Sequence, residues 1–166
     1  MSFKPWPKWV FKTQNSYVFQ EFGGDMAHSD FLSLNFLYIH PERRLYPLLL
    51  VFISTNYRWE IEIHSIYGAG VTYQIIDKKK NKNSNWLKMS ISGEYEQTWF
   101  KCADFNLIEY NQAKNMNIFW STIWINGYYN VFKNEVILKH EMYFQPSLEK
   151  RNNYRSRTDL ALEIPL

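Results

Sequence analysis

The feature that most constrains this chain is a period of two. Residues 57–67 read YRWEIEIHSIY, with Arg58, Glu60, Glu62 and His64 at every second position and Tyr57, Trp59, Ile61 and Ile63 between them. A strand sends successive side chains to opposite faces, so such a row stays on one side of a sheet and would scatter around a helix. The same alternation recurs along most of the chain.

FLSLNFLYI at 31–39 fits a strand better than the short helix that Ser29 or Asp30 could cap, and LLLVFIS at 48–54 and the run from Trp86 to Ser92 read as strands. So do 118–125 and 135–144, with Val136, Leu138, His140 and Met142 on one side of the latter. KWVFK and YVFQEF flank TQNS near the N-terminus and predict a hairpin there, and Gly23-Gly24-Asp25 then breaks the chain. Gly68 and Gly70 are expected to bound the strand at 57–67, with a further strand at 71–76. Asn126-Gly127 stands between two bulky runs and predicts another tight hairpin, because both residues tolerate positive φ. Residues 94–115 fit a helical face through Tyr95, Trp99 and Cys102, and also fit a strand. DKKKNKNSN at 77–85 and KRNNYRSR at 150–157 read as polar loops, and DLALEIPL as an edge strand, where a proline is tolerated. The expected fold is mainly β, with α+β open: one antiparallel sheet curled as a sandwich or barrel, with at most one or two helices. At 166 residues it is a single domain, 1–166.

The opening row has two readings. Side chains two apart on a strand are about 6.5–7 Å apart. Glu60, Glu62 and His64 therefore need a neighbouring strand before they can hold an ion or share a proton. The simpler reading is a solvated strand face, with Thr72 or Gln74 as polar partners across the sheet, and it is preferred. The other histidines, His28, His40 and His140, have no ligand spacing, and Cys102 is the only cysteine. No zinc site is expected and no disulfide within the chain can form. No GxGxxG, GxxxxGK[ST], GxSxG or HExxH is present, so no cofactor and no catalytic residue is assigned.

Aromatic residues make up 19% of the chain. Part of that excess belongs to a composition also rich in Asn, Lys and Ile, and part is available for recognition. Trp59, Trp86, Trp120, Trp124 and Tyr128 are the candidate partner-binding anchors. Two basic clusters, Lys78, Lys79, Lys80 and Lys82 beside Trp86, and Arg151, Arg155 and Arg157 around Tyr154, could meet phosphates. The net charge of only +3 makes nucleic acid the weaker expectation. The longest apolar run, LLLVFI, is too short for a membrane helix, and MSFKPWPKWVFK does not read as a secretory signal. The expectation is a soluble cytoplasmic module, with no membrane contact and no enzymatic activity. It would neutralise another protein, such as a toxin or enzyme, by steric occlusion in the manner of an immunity protein or inhibitor. The alternatives are an up-and-down β-barrel carrying a small ligand and a nucleic-acid binder.

Overall fold

The computed structural model of the chain describes residues 2–6, 8–23, 25–80, 83–101, 114–131 and 136–164. Cys102 and Lys82 lie outside these residues. The described chain is nine strands and no helix: β1 (Ser2–Trp6), β2 (Trp9–Phe22), β3 (Asp25–Ile39), β4 (Leu45–Asn56), β5 (Ile61–Lys80), β6 (Asn83–Phe100), β7 (Asn115–Val131), β8 (Val136–Pro146) and β9 (Tyr154–Glu163). They form one antiparallel sheet in sequence order, β1 to β9. The expected antiparallel sheet is present, rolled into a half-barrel.

Several boundaries differ from the sequence reading, each for a physical reason. TQNS does not turn: β2 passes straight through it, paired with β3 from Trp9↔Ile39 to Phe22↔Asp25. The turn between β2 and β3 falls at Gly23, at the expected glycine break, with φ +64°. Gly68 and Gly70 do not bound a strand but sit within β5. A Cβ on Gly70 would lie 2.2 Å from the Ile91 carbonyl oxygen, and one on Gly68 would lie 2.7 Å from Glu94 Cγ. These glycines permit close approach on the inner face. Asn126-Gly127 is not a hairpin either. β7 continues to Val131, and Gly127 is glycine because His140 fills its Cβ position, with Nε2 2.3 Å away. Residues 94–100 continue β6 as strand, with Tyr95 paired to Phe119 and Trp99 to Asn115; 102–113 lie outside the described residues.

The curl defines two faces. Phe36 of β3 stacks on Trp124 of β7, centroids 5.8 Å apart, across the three intervening strands. Arg155 of β9 lies 4.4 Å over the Trp120 ring of β7. These contacts place Phe36, Trp120, Trp124 and Arg155 on the concave face. Leu48, Ile118 and Trp120 are buried there, each apolar side chain contributing roughly 1.5–3 kcal/mol.

Candidate functional site: an inward polar seam and an outward apolar face

The concave face carries a buried polar seam among its apolar core side chains. Its centre is Glu96, 1% exposed. His64 Nε2 lies 2.8 Å from its Oε1, Arg155 Nη2 donates to the same oxygen at 2.9 Å, and Trp120 Nε1 donates to Oε2 at 2.6 Å. Arg155 Nη1 closes a bidentate pair with Oε2 at 2.8 Å. Behind His64, Nδ1 is 3.4 Å from Ser54 Oγ. One carboxylate therefore ties β5, β7 and β9 to β6. Buried charge is tolerated only when paired and hydrogen-bonded this fully.

A second seam runs beside it. Ser92 Oγ donates to Glu94 Oε1 at 2.7 Å, and Gln145 Nε2 donates to Glu94 Oε2 at 2.6 Å and to Thr122 Oγ1 at 3.0 Å. Thr72 and Ser90 share a hydroxyl hydrogen bond of 2.8 Å. Toward the end carrying the turn at 40–44 the seam gives way to rings. Trp86 stacks on Tyr128 at 6.3 Å, and Lys88 Nζ lies 5.4 Å from the Trp86 centroid and 5.8 Å from that of Tyr46. A cavity of about 220 Å³ opens here, lined by Tyr38, Tyr46, Trp86, Lys88, Trp124 and Asn126 among others. Trp124 Nε1 is buried without an acceptor. In the turn beside this cavity, the carboxyl of Glu42 is held below its ordinary range by its own backbone N–H and by His40, whose Nδ1 is 2.9 Å away.

The convex face differs. Alternation and register place on it the odd positions 9–19, 31–39, 45–55, 63–75, 87–99 and 115–131, then the even positions 136–146 and 154–164. None of these is Asp, Glu, Lys or Arg. Many are large apolar residues open to the surroundings, including Tyr67, Val71, Ile91, Phe119, Ile123 and Phe144; Leu162 is 68% exposed. Over the same spans the charged side chains Lys12, Lys88, Glu94, Glu96, Lys139, Glu141, Arg155, Arg157, Asp159 and Glu163 all fall on the opposite parity.

The residues singled out by sequence distribute as follows. Residues 57–60 are turn rather than strand, and Glu60 has φ +51°. A register shift between Ile61 and Ile63 then separates Glu62 from His64. His64 turns inward to Glu96 while Glu62 stays exposed, so Glu60, Glu62 and His64 do not form one row. Glu96 was the residue that spacing along one strand could not find, because its partners lie on three other strands. Trp59 sits in the same turn, 61% exposed. Trp120 is fully buried, and Trp86, Trp124 and Tyr128 line the concave cavities. The exposed side of 120–125 is thus the Ile123 and Ile125 side, not the tryptophan side. Lys78, Lys79 and Lys80 extend β5 at one end of the sheet, whereas Arg151, Arg155 and Arg157 lie toward the other. Among the described residues no group of His, Cys, Asp and Glu could hold a metal ion. No protein-family model, no curated protein and no solved structure matches this chain.

Proposed function

We propose that this chain forms the wall of a membrane-spanning β-barrel, its convex face against lipid acyl chains and its polar concave face inward. The observation that carries this reading is the parity of charge: over the spans 9–19, 31–39, 45–55, 63–75, 87–99, 115–131, 136–146 and 154–164 of eight successive strands no Asp, Glu, Lys or Arg faces outward, exposed Glu21 and Glu62 lying beyond those spans near strand ends, and an ionised network faces inward. Apolar-out and polar-in alternation is what a barrel in hydrocarbon requires. Strand length agrees. β9, the shortest of β2–β9, has 10 residues, and a tilted membrane strand needs about 9–11. Among the described residues no helix is long and apolar enough to cross a membrane, which places no limit on strands.

A soluble module that covers a partner protein, as the composition leads one to expect, would have to use this same convex face. Protein interfaces place a polar, charged rim around an apolar centre. Here the middle spans of eight strands carry no charge outward, and the charged Glu21 and Glu62 stand only near strand ends; lipid fits that better. The contact between Phe36 and Trp124 fills the interior, which suits an anchored, plugged barrel rather than a wide aqueous channel.

The test is refolding from urea by dilution into detergent micelles and, in parallel, into plain buffer. The reading predicts a β-sheet circular-dichroism signal and a heat-modifiable gel band only in micelles. A monodisperse, β-folded protein in buffer without detergent would overturn it.

A further inference from the structure

We infer that β2 and β9 pair edge to edge, closing β2–β9 into an eight-stranded antiparallel barrel; the inference rests on the membrane reading above. Among the described residues the outer edge of β9 meets no strand, and β1 covers β2 only between Trp9 and Lys12. Unpaired sheet edges are not tolerated in hydrocarbon, where no water can satisfy their N–H and C=O groups.

The two edges already approach each other. Lys12 of β2 lines one cavity together with Asp159 and Ala161 of β9. Direction fits as well. In an unbroken antiparallel meander β2 and β9 run oppositely, so their pairing continues the pattern, whereas β1 and β9 run the same way.

Register supplies the strongest argument. The hydrogen-bonded row from Lys12 passes through Phe36, Leu50, Gly68, Glu94 and Trp120 to Ser147. Ser147 N then donates to the Asn153 carbonyl, so the row meets the start of β9 at Asn153. Ala161, across the cavity from Lys12, is eight residues further along. A closed barrel needs such a stagger, and eight strands with a stagger of eight is an established closed geometry. An even stagger also keeps the faces in phase. Lys12 then lies opposite Ala161, Gln14 opposite Asp159 and Ser16 opposite Arg157, all on the concave side. The Lys12 ammonium falls between Asp159 and Glu163, its diagonal neighbours, where opposite charges attract. Strands β3 and β7 become opposite walls, as the contact of Phe36 with Trp124 across the interior requires. β1 must yield its pairing at Phe11 and Lys12 to complete the seam.

The test is a double variant, Lys12→Cys with Ala161→Cys, in a Cys102→Ser background, refolded into micelles and treated with an added oxidant. Closure predicts an intramolecular disulfide in most molecules, read as a 2 Da mass loss on the monomer, and at least a tenfold lower yield for the out-of-register pair Lys12→Cys with Arg155→Cys. A disulfide only between chains would overturn closure and assign the edge to a second copy. Absence of any disulfide in protein that shows the heat-modifiable band would overturn closure alone. Failure to enter micelles at all would overturn the membrane reading and closure together.

Discussion

Phe36 and Trp124 stack with ring centroids 5.8 Å apart, although β4, β5 and β6 lie between their strands. A flat or gently twisted sheet would hold them far apart, since each strand adds about 4.8 Å of spacing. Their contact makes the concave side an interior. That interior holds a paired carboxylate, amides and hydroxyls beside Phe36, Leu48, Ile118, Trp120 and Trp124, while the convex face carries exposed apolar side chains.

Glu96→Leu leaves the Arg155 guanidinium and the His64 and Trp120 ring nitrogens facing an alkyl group. Breaking a buried ion pair from one side costs about 3–5 kcal/mol. Arg155 keeps 39% of its side-chain exposure, so the expected loss is smaller, about 2–3 kcal/mol. Urea titration of the micelle-folded protein measures it. Glu96→Gln retains acceptor capacity for Trp120 and should lose less.

Phe119→Arg puts a charge in the middle of the convex face. Against lipid this costs about 2–4 kcal/mol at mid-depth and less toward either end. Against water the same change at a half-exposed position would fall within about 0.5 kcal/mol. The unfolding free energy in liposomes therefore separates the two surroundings.

Gly70→Ala should destabilise the sheet severely. Its Cβ would meet backbone, the Ile91 carbonyl oxygen at 2.2 Å and Ser92 Cα at 2.7 Å, and neither can swing aside. Gly93→Ala meets nothing within 4 Å and should be neutral or stabilising by about 0.5–1 kcal/mol, because alanine has less backbone freedom to lose. Matched urea titrations of the two variants give the comparison.

Trp124→Phe keeps a ring against Phe36 and removes an N–H that is buried without an acceptor. An unsatisfied buried donor costs about 1–3 kcal/mol. The gain from deleting it offsets the lost ring area, so stability should change by less than about 1 kcal/mol. Trp120→Phe should cost more, because the Trp120 N–H donates to Glu96.

The strands were largely legible in the sequence. Residues 31–39, 48–54, 86–92 and 118–125 all fall within strands, because period two holds wherever the two faces meet different surroundings. What misled was punctuation. Gly68, Gly70 and Asn126-Gly127 look like turns, yet the inward glycines answer to Glu94, Leu50 and Ile91, and Gly127 to His140. These are neighbours in space that spacing along the chain cannot reveal. Glu96 stood in an unremarked EYEQ stretch, since its meaning depends on His64 and Arg155 arriving from other strands. The row 57–67 does not hold as one strand face, because a turn over 57–60 and a register shift between Ile61 and Ile63 split a pattern that reads as continuous. The parity of charge was present in the sequence throughout. A search for one long apolar run passes over it, because a strand with one apolar face carries those residues only at alternate positions.

The measurement that most directly tests the lipid-facing claim uses single cysteines at Val71, Phe119 and Thr122 in a Cys102→Ser background, each carrying a small fluorophore, in liposomes with brominated acyl chains. The account predicts strong quenching at Val71→Cys and Phe119→Cys, on the convex face, and little at Thr122→Cys, which faces inward. Unquenched labels at both convex positions, with those cysteines open to a membrane-impermeant thiol reagent, would contradict it.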